Sequence, residues 1–205
     1  MPKDRKAPSF SSLPPLLLEV VEGYAQGYYL MADDEGKELL WYGAGRHTLM
    51  PLDERLHIPK SLHRVLNQNK FEIRASTDIA GVIAGCRNRP ATWISNDLAF
   101  LYLELAKYGI VQTYETWHQG QLAGGVLGMC IGGAFIGESM FTAVDNAGKV
   151  ALVKLCHHLQ ERGFVVFDAQ LTNDHLARFG SYEVEAKVYK KLLAEALLAT
   201  PMFIG

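Results

Sequence analysis

The sequence predicts a mixed α/β (α+β) fold, on three observations. Between Val111 and Phe141, apolar runs are punctuated by two turn signals, His118-Gln119-Gly120-Gln121 and Gly132-Gly133, as consecutive strands would be. A helical pattern follows from about Asp145 to Arg162 and is closed by Gly163. A second apolar run, Phe164 to Phe167, then leads into Asp168, so strands and helices interleave along the chain.

Taken in order, residues 1–11 are polar and Pro/Ser-containing and predict a loose arm. Pro14 and Pro15 open a helix to about Gly27, with Leu17, Leu18 and Val21 on its apolar face. Gly43 to Gly45 marks a turn and His47 to Leu52 a short extended piece. Pro59 starts a helix carrying Leu62, Val65 and Leu66, and Phe71 to Ala75 alternates as a strand does. Thr77 is expected to cap a helix through Gly85. Ser95 is expected to cap a second, lined by Leu98, Leu101, Tyr102 and Leu105 and stopped by Gly109. Val111–Trp117, Leu122–Cys130 and Ala134–Phe141 are the strands of the glycine-punctuated region. Val150, Val153 and Leu155 face the core from the helix that follows. A polar-capped helix from Asn173 to Phe179 ends at Gly180, and a last helix spans about Glu183 to Leu198. A soft boundary near residues 75–90 divides a small N-terminal α/β domain, drawn as 1–80, from a larger domain, 81–205.

Composition excludes several classes. With 49% hydrophobic residues in 205, the chain can bury a core, and wholesale disorder is excluded. Cys86, Cys130 and Cys156 are odd in number and far apart, so neither a disulfide framework nor a Cys-x-x-Cys metal pair is present, and no metal or cofactor is expected. The apolar stretch Leu122–Gly137 is too short and too glycine-rich for a membrane helix, and Glu19 and Glu22 interrupt the only segment that imitates an export signal. A soluble, cytoplasmic protein is expected. The formal charge is −2, from 20 basic and 22 acidic side chains, so any polyanion must be met by a local patch. One exists: Arg55, Lys60, Arg64, Lys70 and Arg74 are opposed only by Glu72 in their interval, with Arg87 and Arg89 nearby and Lys187, Lys190 and Lys191 on the last helix.

Several short segments occur in a fixed order: Leu56-His57-Ile58, Thr92-Trp93-Ile94, Gly124-Gly125-Val126-Leu127-Gly128, Gly137-Glu138-Ser139-Met140-Phe141, Phe167-Asp168-Ala169-Gln170 and Asn173-Asp174-His175. Together they resemble the leucyl/phenylalanyl-tRNA–protein transferase family, over roughly residues 40–182. The resemblance implies an acetyltransferase-like (GNAT-like) mixed-sheet catalytic domain behind a smaller N-terminal domain. It implies two substrates, leucyl- or phenylalanyl-tRNA (with Met as a minor donor) and proteins with N-terminal Arg or Lys, and a product marked for N-end-rule degradation. It places Asp168 and Gln170 at the catalytic centre and Glu138 at the acceptor's cationic side chain. It lines the donor pocket with Val126, Phe135, Leu152 and Leu155, and it stacks Trp93 on the terminal adenosine. Two stretches depart from the family. Gly27-Tyr28-Tyr29-Leu30-Met31 lacks the usual proline and tryptophan, and Glu185-Ala186-Lys187 replaces an arginine-rich segment.

The residues themselves make an independent case. If Phe164–Gln170 is a strand, Asp168 and Gln170 share a face. The donor's ester is already activated, but the acceptor α-amine, with a reference pKa of roughly 8, must lose a proton. Asp168 can attract or relay that proton, and Gln170 can hold the amine or donate to a developing oxyanion. Spacing alone leaves an alternative open, in which Asp168 caps a turn and Gln170 satisfies loop backbone. Glu138, in an apolar strand, needs a partner, either an internal cation or the acceptor's. An apolar pocket excludes charged donors but separates Leu from Phe poorly. Arg55, Lys60, Arg64 and Arg74 are candidates for the tRNA backbone, or else belong to an ordinary solvated face. Two other functions compete. One is an acyl-CoA-dependent N-acetyltransferase, against which stands the glycine-poor approach Ala143–Lys149. The other is a non-catalytic RNA- or peptide-binding module, which gives no reason for Glu138, Asp168 and Gln170.

Overall fold

The computed structural model describes residues 12–33, 35–36 and 38–204; the stretch expected as a loose arm, 1–11, lies outside the described residues. Helix α1 spans Pro15–Ala25, with Pro15 in the first turn where its missing N–H costs nothing. It buries Leu17, Val20, Val21 and Tyr24, the i, i+3, i+4, i+7 stripe of an amphipathic helix, while Leu18 is half-buried. Strands β1 (Tyr28–Ala32) and β2 (Leu39–Gly43) then form a separate antiparallel pair, from Tyr28 opposite Gly43 to Ala32 opposite Leu39. The sequence reading did not anticipate this hairpin.

The other strands make one seven-stranded sheet. They are β3 (Arg46–Leu49), β4 (Glu72–Ala75), β5 (Val111–His118), β6 (Gln121–Ile131), β7 (Ala134–Thr142), β8 (Val166–Asp168) and β9 (Tyr182–Glu185), in the order β4-β5-β6-β7-β8-β3-β9. β4 to β7 are antiparallel neighbours, β7 and β8 are parallel, and β3 pairs antiparallel with both β8 and β9. Within the first 80 residues, β3 and β4 thus hydrogen-bond into the large sheet at separate places. The helices are α2 (Lys60–Asn67), α3 (Ile79–Arg87), α4 (Asn96–Ala106), α5 (Ala147–Arg162), α6 (Asp174–Ala177) and α7 (Ala186–Ala196). One apolar cluster joins α1, α3 and α4 to Val111, Leu127, Met129 and Ile136 of the sheet. A second joins α5 to Val126, Phe135 and Phe167, so both faces of the sheet are covered. This is a mixed α/β, acetyltransferase-like architecture with smaller N-terminal elements.

Three expectations are corrected. The α3 cap is Asp78, which accepts from the Gly81 N–H at 2.8 Å; Thr77 is turned to the buried Glu115 carboxylate, which takes its backbone N–H at 2.8 Å and its hydroxyl. The strand drawn from Phe164 to Gln170 is only Val166–Asp168, because Gln170 has φ +62° and turns the chain. The last helix starts at Ala186, and Tyr182–Glu185 before it is an edge strand. Among the described residues no helix is long and apolar enough to cross a membrane.

Candidate active site

The parallel pair β7–β8 is in register only from Ala134 opposite Val166 to Ile136 opposite Asp168. Beyond that point the two chains separate, and a cavity of about 270 Å³ opens between them. It is lined by Gly137, Glu138, Ser139 and Met140 on one side and Phe167 and Ala169 on the other. The β6–β7 register breaks at the same place. Leu127 faces Ser139 and Gly128 faces Gly137, so Glu138 is the extra residue of a bulge. A bulge re-aims the side chain it frees. It brings the Glu138 carboxylate to the cavity wall while leaving the residue only 8% exposed.

Glu138 is held by neutral donors. The Tyr102 hydroxyl donates to its Oε2 at 2.7 Å, and the Gln170 side-chain amide donates to its Oε1 at 3.3 Å. Tyr24 hydrogen-bonds to it as well, and the Tyr24 hydroxyl oxygen accepts the Leu30 N–H at 3.2 Å. Burial raises the Glu138 pKa to about 7, and the charge of Asp168 pushes the same way, against the lowering effect of the tyrosine and glutamine hydrogen bonds. Among the described residues no lysine or arginine pairs with it. The site therefore holds a buried carboxyl group that meets no cationic side chain among the described residues.

Asp168 and Gln170 meet, though not as members of one strand. The Gln170 N–H donates to Asp168 Oδ1 at 2.8 Å across the turn, and the Gln170 carbonyl accepts the Thr48 N–H at 2.9 Å. Those bonds hold Gln170 in its left-handed conformation, which is unfavourable for a residue with a Cβ. Asp168 is 1% exposed. Its Oδ2 faces His47 Nδ1 at 3.0 Å, and the His47 ring stacks on Tyr189 with centroids 3.6 Å apart. Burial, and then the charge of Asp168, raise the Tyr189 pKa strongly. Neither Asp168 nor Gln170 itself lines the cavity; Asp168 accepts the Gln170 N–H, and the Gln170 side-chain amide in turn donates to Glu138, which stands on the wall.

Of the donor-pocket candidates, Val126 and Leu152 line the cavity, whereas Phe135 and Leu155 are fully buried in the layer behind them. Trp93 also lines the cavity, and its carbonyl accepts the Ala32 N–H at 3.2 Å. His175 also lines the cavity, while Asn173 caps α6 by accepting the Leu176 N–H at 2.9 Å. Arg55, Lys60, Arg64 and Arg74 lie away from the cavity lining. Lys60 and Arg64 are exposed on α2, Arg55 is forked by Asp53, and Arg74 by Glu72. A larger depression, about 590 Å³, lies around Lys107, Gln112 and the segment 197–204 and contains none of the candidate residues. Among the described residues, no group of three or more His, Cys, Asp or Glu could hold a metal ion.

Sequence reasoning missed His47, Tyr24 and Tyr102. Tyr102 reads as an apolar member of a helix face, and Tyr24 is not singled out. The usable signal was that a buried tyrosine hydroxyl needs an acceptor and a carboxylate in an apolar strand needs donors. His47 is 121 residues from Asp168, and only the β3–β8 pairing brings them together.

Comparison with known proteins adds a second line of evidence. The family model described as leucyl/phenylalanyl-tRNA protein transferase matches residues 49–194. Proteins named leucyl/phenylalanyl-tRNA–protein transferase are similar over most of the chain. The one from Trichormus variabilis is 52% identical over 188 residues, covering 92% of this chain and 98% of that protein. The one from Gloeothece citriformis is 54% identical over 178 residues, covering 87% and 93%. The one from Gloeobacter violaceus is 41% identical over 184 residues, covering 90% and 93%.

Proposed function

The chain belongs to the leucyl/phenylalanyl-tRNA–protein transferase family, and from that premise we propose that it moves Leu or Phe, with Met as a minor donor, from aminoacyl-tRNA to proteins with N-terminal Arg or Lys. The product would carry an N-end-rule degradation signal. The observation that supports this reading most is Glu138, a buried carboxyl group on the cavity wall whose partners among the described residues are neutral. A guanidinium or ammonium entering the cavity supplies the missing counter-charge. The ester end of the donor lies against Val126 and Leu152, with Phe135 and Leu155 supporting them, and Trp93 stacks on the terminal adenine. Arg55, Lys60, Arg64 and Arg74 face the tRNA backbone. The boundary near residue 80 is proposed as a division of labour, with 1–80 supplying that basic face and, through Tyr24, His47 and Thr48, support for the site, and 81–205 the residues that meet the reacting groups.

In the reaction the acceptor's α-amine nitrogen attacks the ester carbonyl. The bond from carbonyl carbon to ribose oxygen breaks, and the amine's proton ends on that oxygen. The Gln170 amide orients the amine or donates to the oxyanion. Asp168, shielded from the cavity, draws the amine's proton electrostatically through the Gln170 turn. No cofactor enters this scheme, since the ester is already activated.

The test is transfer of radiolabelled Leu and Phe from charged tRNA to Arg-, Lys- and Ala-starting peptides, with acetyl-CoA as a parallel donor. Transfer from tRNA to the first two peptides is expected. Acetylation without aminoacyl transfer would instead identify an N-acetyltransferase, and tRNA binding without either would identify a binding module. Gln170→Ala should lower kcat by about a hundred- to a thousandfold, the range for a lost transition-state donor, while tRNA affinity is kept. Equal losses in both would assign Gln170 to folding.

A further inference from the structure

We propose that Arg89 forms a phosphate subsite at the cavity mouth, holding the last phosphodiester of the donor tRNA. The proposal rests on the aminoacyl-tRNA reading above. The ribose that carries the ester also carries that phosphodiester, on its 5′ oxygen. An ester seated in the cavity therefore brings one negative charge to the rim, whatever the sequence of the tRNA.

Arg89 lines the same cavity as Trp93 and Glu138, and it is exposed. Its guanidinium is pre-set by backbone and hydroxyl contacts. Nε donates to the Cys86 carbonyl at 2.8 Å, and Nη2 donates to Ser139 Oγ at 3.0 Å and toward the Met140 carbonyl at 3.4 Å. These contacts tie it to the end of α3 and to the bulged strand beside Glu138. They leave the two N–H groups of Nη1 without a hydrogen bond among the described residues, and they leave the charge without a carboxylate. Arg87, Arg55 and Arg74 lie off the cavity lining and are each hydrogen-bonded within the protein. Arg87 donates to the Ile94 carbonyl at 3.0 Å and to Asn96 Oδ1 at 2.6 Å, and Arg55 and Arg74 are forked by Asp53 and Glu72. A fixed guanidinium with an unspent edge suits a phosphate oxygen pair better than a flexible lysine does.

The experiment compares two donors, aminoacyl-tRNA and aminoacyl-adenosine, which keeps the ester and the base but has no phosphodiester. In the wild-type enzyme the ratio of their kcat/KM values sets the reference. Arg89→Ala should lower that ratio about tenfold. It should also flatten the dependence of log KM for aminoacyl-tRNA on log salt by roughly 0.7, the contribution of one single-strand phosphate. Arg89→Lys, which keeps the charge without the fork, should retain the salt slope and recover part of the ratio. A ratio unchanged in Arg89→Ala overturns the proposal, whether both donors fall together or neither does. If the wild-type enzyme transfers from neither donor, the functional reading fails instead.

Discussion

At the scale of single residues, Glu138 sets function against stability. Its carboxyl ordinarily titrates at 4.5 and in the fold at about 7. Below the lower value it is neutral in both folded and unfolded chains. Between the two values only the unfolded chain releases its proton, so stability falls as pH rises across that window and levels off above about 7. The interval corresponds to about 3 kcal/mol at ~1.4 kcal/mol per pKa unit. Glu138→Gln should therefore be more stable than the wild-type protein at pH 8 by up to that amount, and equal to it near pH 4, as urea denaturation at both pH values would measure. The same substitution should raise KM for an Arg-starting peptide well above any change in KM for the tRNA. Wild-type acceptor use should climb as Glu138 ionises through pH 7, and the variant should lose that limb. The amine's own titration is common to both proteins and cancels in their ratio. A variant that is destabilised at pH 8, or that keeps its preference for Arg and Lys starts, would remove Glu138 from the acceptor site.

At the scale of elements, the cavity exists because neighbouring chains approach closely in one place and part in another. β6 runs through Gly124 and Gly128. A Cβ at Gly124 would lie 2.8 Å from the Gly148 nitrogen of α5, and one at Gly128 would lie 2.3 Å from Phe135 Cζ and 2.7 Å from the Ile136 carbonyl oxygen. Backbone on one side and a buried ring on the other leave no room for relief. Gly128→Ala should cost about 1–3 kcal/mol by overpacking. Because it sits at the bulge that frees Glu138, it should also weaken acceptor use. An unchanged urea midpoint would contradict this account. The core strands and α5 were legible in the sequence, because glycine turns and apolar runs mark them locally. The β1–β2 hairpin was not, since its strands flank the charged stretch 33–38 and carry no alternation that separates them from helix. β9 was absorbed into the final helix because Tyr182–Glu185 is only four residues long and runs straight into α7. In the site, the adjacency of Asp168 and Gln170 was readable from their spacing, but its cause was not. Strand geometry ends at Asp168, and a left-handed Gln170, pinned by Thr48 from a distant strand, completes the approach. The bulge at Glu138 and the His47 contact depend on pairing across the sheet, which local pattern does not encode.

At the scale of the whole molecule, a chain of net charge −2 must collect a polyanion without a general positive field. Its basic stretch is partly self-cancelled. Asp53 takes Arg55 at 2.7 Å and Glu72 takes Arg74 at 2.8 Å, each across two residues, while the guanidiniums lie over Tyr182 at 4.9 Å and Trp117 at 4.2 Å. Among the described residues of this stretch, Lys60 and Arg64, one helical turn apart on the exposed face of α2, and Lys70, over the Phe71 ring, stand without such an acid beside them. Surface pairs of this kind contribute little to stability and are easily exchanged for another anion. If Arg55 and Arg74 meet the tRNA backbone, each must first leave its carboxylate, and binding is weakened by that exchange. Asp53→Asn and Glu72→Gln remove the competitor while leaving the arginines in place. Each should tighten tRNA binding severalfold and steepen the log Kd against log salt slope, by at most about 0.9 for each phosphate newly neutralised. Both changes should be visible in filter binding across a salt series, and Arg55→Ala and Arg74→Ala should move affinity the other way. Affinities unchanged in all four variants would place the tRNA elsewhere, on α2 and the cavity rim alone.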